Sequence, residues 1–166
     1  NHKNNLMKRK LIFLITLFFS IANLAHGQQK LKAIKAGRLI DVVTGVVLTN
    51  QVILIGSDTI MSVGPDVTIP PGTEIIDLSH STVLPGLIDC HTHITGEPGN
   101  DYYANIFRKM PVDFAVTAHI YAKRTLHAGF TTCRDLGAPA FVDVALRNAV
   151  NHGEVEGPRL QVATMF

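Results

Sequence analysis

Tryptophan is missing from the sequence, and aromatic residues together make up only 7% of it. Stacking platforms for nucleic-acid bases need more rings than this, so a base-stacking function has no support. Charged residues are also sparse, at 17% against 46% hydrophobic residues, which is the balance of a chain that buries a core and not of a disordered one. A basic surface is lacking as well. The formal net charge is +2, but Lys3, Lys8, Arg9 and Lys10 put four of the 15 basic residues before position 11, leaving 11 against 13 acidic ones in the remainder. That mildly acidic body gives a nucleic-acid partner no electrostatic footing. Cysteine is limited to Cys90 and Cys133, enough for one bridge, and both lie in apolar strand-like stretches, which favours two free, buried thiols.

Long apolar runs are absent except for one. Leu11 to Ala22 follows Met7 and Lys8-Arg9-Lys10 and precedes Ala25-His26-Gly27, with small residues where a signal peptidase cuts. The run is shorter than the roughly 20 residues of a membrane-spanning helix. Residues 7–27 are therefore expected to be a secretory signal, cleaved to leave Gln28 first, with export to the periplasm or beyond and no stable membrane insertion afterwards. An uncleaved anchor is the alternative, and residues 1–6 precede the plausible initiator.

What is present falls into two rhythms. Residues 28–83 are short apolar runs broken by turns, with strands expected at 32–36, 52–55, 60–63 and 74–78, a Gly56-Ser57-Asp58 turn and a stiff "IPPGT" loop at 69–73. This predicts a small antiparallel β unit. After Pro85-Gly86 strands and helices alternate: a strand at 87–94, a helix from Pro111 to about Ala128 closed by Gly129, a strand at 130–135, a helix at 141–152 closed by Gly153, and a strand at 159–165. Alternation with short connections predicts parallel strands. With 166 residues the chain cannot hold a complete large barrel, so 84–166 is expected to be the front of a longer domain.

The chemistry concentrates in "LPGLIDCHTHI", 84–94. Strand alternation places Asp89, His91 and His93 on one face and Cys90 and Thr92 on the other. Residues two apart on a strand have Cα atoms about 6.5 Å apart, from which two imidazoles can converge on one ion at about 2.1 Å per Zn–N bond. The pair also sits at the C-terminal end of a strand in a βα series, where active sites of such folds lie. Set against this, a His-x-His can arise by chance among eight histidines, and two histidines alone make a weak site.

The segment "VLPGLIDCHTHI" (83–94), with "GFTTCRDLG" (129–137) and "EVEGPRL" (154–160) behind it, resembles the metal-dependent amidohydrolase superfamily. The order is most similar to its imidazolonepropionase-like and prolidase-like exported members, and the resemblance runs from about Leu31 to Phe166. It implies an α/β fold: the N-terminal part of a (β/α)8 TIM barrel, preceded by a segment of a small β-sandwich. It implies that His91 and His93 are metal ligands, that Asp89 sits behind them, and that Arg134 and Asp135 end the second barrel strand as pocket candidates. An ion pair or loop cap is the structural alternative for those last two. The implied cofactor is zinc, as one or two ions, with another divalent metal as the alternative. The family's remaining ligands and catalytic Asp come from later strands. His80, His119, His127 and His152 are assigned structural or surface roles.

The implied activity is hydrolysis of a C–N bond in a small amide, dipeptide or cyclic amide, by water made nucleophilic at the metal. Export tilts this toward a dipeptide of the Xaa-Pro kind, with the present fragment inactive by itself. A deaminase or other ring hydrolase on the same scaffold, or a non-catalytic barrel, is the alternative. A homo-oligomer stays open.

Overall fold

The computed structural model describes residues 30–97, 99 and 101–164. The expected signal at 7–27 lies outside the described residues. The chain divides between Leu84 and Pro85 into two compact units.

The first unit is one four-stranded sheet. Its strands are β1 (Leu31–Ile40), β2 (Val47–Gly56), β3 (Thr59–Gly64) and β4 (Glu74–Val83), in the spatial order β3-β2-β1-β4. β1 with β2 and β2 with β3 are antiparallel, and the β2–β3 turn carries Ser57 at φ 56°. The sheet is not antiparallel throughout, because β4 pairs with β1 in parallel. The cause is topological: two antiparallel steps leave β3 running in the direction of β1, and the 65–73 loop returns the chain so that β4 runs that way again. The strands also exceed the expected lengths, and His80 falls within β4 and not in a loop. Between β1 and β2, Asp41 folds the turn by accepting the Val43 N–H at 2.9 Å and the Thr44 hydroxyl at 2.6 Å. Ala33 and Ala36 of β1 and Ile53 and Leu54 of β2 are its buried apolar residues.

The second unit is a three-stranded parallel sheet with helices. Its strands β5 (Leu87–Thr92), β6 (Phe130–Asp135) and β7 (Arg159–Val162) lie in the order β5-β6-β7. The connection after β5 carries a short helix α1 (Tyr102–Arg108), which was not expected, and then α2 (Pro111–His127). Seven residues are too few to show a helical period in sequence. α2 begins as predicted, with Pro111 in the first turn and the Asp113 carboxylate accepting the Met110 N–H at 2.8 Å. It ends at His127, and Gly129 just beyond it, with a φ of 98°, lets the chain turn into β6.

A single 3₁₀ turn (Pro139–Phe141) precedes α3 (Val142–Asn151), and Ala140 and Phe141 within it take left-handed φ values of 49° and 61°. Ile94, Ala118, Ala122, Cys133, Val142, Leu146 and Leu160 form the core between helices and sheet. Ala118 and Ala122 are the buried residues of α2, small enough for a close approach. Both cysteines are free thiols, but only Cys133 is buried; Cys90, in the last half of β5, is exposed.

Candidate functional site

The histidine pair stands where the parallel strands end. His91 is the penultimate residue of β5 and His93 lies one residue past it, so the strand stops at Thr92 and not at Ile94. Simple alternation is interrupted on the way. Asp89 pairs with Cys133 while Thr92 pairs with Asp135, which places three steps on β5 against two on β6. This is a bulge, the device by which a strand re-aims side chains beside a site. Asp89 supports it: its Oδ1 accepts the His91 N–H at 3.0 Å, two residues on.

The imidazoles come together despite the bulge. Their centroids are 5.7 Å apart, with the ring planes at 70°. Two imidazoles sharing one tetrahedral zinc at about 2.1 Å per bond have centroids on the order of 5.3 Å apart. His93 is further oriented by a hydrogen bond between its Nδ1 and the Gly137 carbonyl oxygen, 3.1 Å apart. A carbonyl can only accept, so Nδ1 carries the proton and the ring's lone pair is at Nε2, the arrangement typical of a metal-binding histidine. Zinc therefore fits the pair as half of a ligand set. Among the described residues no group of three or more His, Cys, Asp and Glu side chains converges as a metal cage.

Arg134 and Asp135, predicted together, are separated by the pleat of β6. Arg134 is exposed and Asp135 is fully buried. Asp135 Oδ2 accepts the Ile94 N–H at 2.6 Å and the Thr92 hydroxyl at 3.3 Å, while Oδ1 accepts the Gly137 N–H at 3.1 Å. Burial is the main force pushing its carboxyl pKa above the usual carboxylate range, opposed by these donors and reinforced by the charge of Asp143 nearby.

Several participants were not anticipated from sequence: Thr92, Gly137 and Asp143. The available signal was Asp135-Leu136-Gly137, a carboxylate two residues before a glycine, which is the spacing of an Asx turn. His119 is exposed on α2, His80 is exposed on β4, His127 at the end of α2 bonds Glu156 at 2.5 Å, and His152 lies 3.9 Å from Glu154.

Known proteins share this arrangement of segments. Over 126 residues the chain is 31% identical to the enamidase of Eubacterium barkeri, covering 76% of this chain and 26% of the enamidase. It is 39% identical over 54 residues to the dihydroorotase of Mycobacterium tuberculosis, covering 32% of this chain and 12% of that protein. Among solved structures, a Xaa-Pro dipeptidase with bound methionine superposes with a TM-score of 0.75 at 33% identity, over 82% of this chain and 34% of the dipeptidase. A prolidase in complex with N-methylphosphonate-L-proline superposes with a TM-score of 0.70 at 29% identity, over 81% of this chain and 32% of the prolidase. The chain thus spans from about an eighth to about a third of the length of these relatives. The Amidohydrolase family profile matches residues 82–166, from the end of β4 through the histidine pair and both later strands of the parallel sheet, and the chain belongs to that family.

Proposed function

We propose that the protein carrying this chain is a metal-dependent hydrolase of C–N bonds in which His91 and His93 supply two ligands of the metal. The observation that carries the reading is the pair itself: two imidazoles 5.7 Å apart at the end of one parallel strand, β5, one of them held by a backbone carbonyl in the tautomer a metal needs. Relatives named enamidase, dihydroorotase and Xaa-Pro dipeptidase support a C–N bond as the target.

We read β5, β6 and β7 as the first three strands of a (β/α)8 barrel. Their sequential order in a parallel sheet supports this, as does the exposure of Leu87 and Ile88 on β5, apolar side chains that further barrel elements would cover. The other ligands and the general base would then come from later strands of the longer protein.

Bound zinc, as one ion or two, supplies a Lewis acid that makes water nucleophilic near neutral pH and polarises the scissile carbonyl. The chain's own residues hold and orient. His91 and His93 are the donors, the Asp89 carboxylate fixes the His91 main chain, and Arg134 is an exposed cation at the same end of β6, positioned to meet a substrate carboxylate or carbonyl. The preferred substrate class is a dipeptide with a C-terminal proline, favoured by the dipeptidase and prolidase structures, with a cyclic amide second. Export through the 7–27 signal belongs to the same proposal, and mass spectrometry of the mature protein should then find Gln28 at its N-terminus.

The deciding experiment replaces His91 or His93 by Ala in the complete protein. Each change should remove most bound zinc and most Xaa-Pro dipeptide turnover, because a lost ligand bond has no substitute. Unchanged zinc content in both variants would sink the assignment.

A further inference from the structure

One buried carboxylate is bonded on every side of His93. Asp135 Oδ2 takes the N–H of Ile94, the residue after His93, and the hydroxyl of Thr92, the residue before it. Oδ1 takes the N–H of Gly137, whose own carbonyl receives His93 Nδ1. The main-chain carbonyl of Asp135 accepts the Ala163 N–H at 2.9 Å, just beyond β7. A second buried carboxylate, Asp143, accepts the Thr164 N–H at 3.0 Å, and the Thr164 carbonyl accepts the Ala138 N–H at 3.1 Å. Thr164 sits at φ 79°, a strained setting for a β-branched residue, held by bonds on both sides. The loops after β5, β6 and β7 are thus fastened to one another around two buried acids.

We infer that Asp135 is a positioning residue for His93, fixing both the backbone that carries the imidazole and the carbonyl that sets its tautomer. The inference rests on the proposal that His93 is a metal ligand. A carboxylate is what this place requires, since both oxygens face donors and neither faces an acceptor. Asn has the same shape but only one accepting oxygen, so its NH₂ would confront the N–H of Ile94 or of Gly137. One bond becomes a repulsion, and the loop holding His93 loosens without a change of volume.

The test uses the complete protein and zinc as the probe. Affinity is read by chelator competition, and the His93 tautomer by nitrogen-15 NMR of labelled histidine in the metal-free protein. Asp135→Asn should weaken zinc binding on the order of 10- to 100-fold, the usual effect of losing a group that orients a ligand. It should also convert His93 from one Nδ1–H tautomer to a mixture. Leu146→Ala, which opens the core without touching these bonds, should lower the melting temperature yet keep zinc affinity within about twofold and the tautomer unchanged.

Asp135→Asn with zinc affinity within about twofold of the parent and one tautomer would overturn the inference. So would an equal loss in Leu146→Ala, which would reduce Asp135 to general stability. If His93→Ala itself retains zinc, the ligand reading fails separately, and the tautomer in the metal-free Asp135→Asn variant still decides the positioning. Should Asp135→Asn not fold, Thr92→Val removes one donor and should weaken zinc about threefold; no change there overturns the inference too.

Discussion

A Cβ placed on Gly86 would lie 2.1 Å from Oγ1 and 2.2 Å from Cγ2 of Thr131. The Pro-Gly before the histidine motif is thus explained by packing: the chain enters β5 so close to the side chain of the second residue of β6 that only glycine fits. Gly86→Ala should destabilise the protein by about 1–3 kcal/mol through overpacking. Combining it with Thr131→Ala, which removes the two closest atoms and leaves only the Thr131 Cβ, at 2.7 Å, should recover part of that loss. Additive losses in thermal or urea unfolding of the double variant would show that the two residues are not coupled.

The two thiols should behave differently. Cys133 is fully buried, and burial, with the nearby charge of Asp89, pushes its thiol pKa up, so little thiolate is available to react. Cys90 is exposed. A thiol reagent should therefore modify one cysteine per native chain and both after denaturation. In Cys90→Ser the native protein should give almost no titre, and rapid reaction of native Cys90→Ser would contradict the burial of Cys133.

Family membership was legible in residues 83–94, because Pro-Gly-Leu-Ile-Asp-x-His-x-His is a local string whose spacing carries its chemistry. The parallel sheet was legible too, since Pro111, Gly129 and Gly153 mark helix ends by backbone physics that acts within a few residues. Three features escaped for one reason. The parallel return of β4 onto β1, the bulge between Asp89 and Thr92, and the bond from Asp135 to the N–H of Ile94 each depend on partners about 40 residues apart, which no local period encodes. Arg134 and Asp135 show the difference within two residues: their types suggested a shared pocket, and the pleat sent one to solvent and one inside.

A pH signature should come from the link between α2 and the segment before β7. Hydrogen bonds from His127 and Lys123 hold the Glu156 carboxyl below its ordinary pKa. A depressed folded-state value means that the stabilisation is present above the unfolded value, near 4.5, and is lost as pH falls through the folded one. Glu156→Gln should lower the melting temperature on the order of 1 °C at pH 6, as expected for solvent-screened pairs, and should make no difference near pH 2. A difference that grows toward low pH would have the wrong sign for this linkage.

Two glycines at opposite ends of the same strand separate strain from function. Gly137, at φ 119°, follows β6 and offers the carbonyl that receives His93 Nδ1; Gly129, at φ 98°, precedes β6 and offers its carbonyl to the Leu87 N–H at 2.9 Å. Alanine at either position must adopt a backbone conformation that L side chains rarely take, at a cost on the order of 1–3 kcal/mol. An added Cβ at Gly129 meets nothing closer than Leu87 Cδ1 at 4.0 Å, so strain alone operates there. Both variants should therefore melt earlier. Only Gly137→Ala should also weaken zinc, because only its loop carries the acceptor that orients a proposed ligand. Chelator competition on the pair measures this directly. Equal zinc affinity in the two variants would mean that the Gly137 carbonyl can shift without disturbing His93.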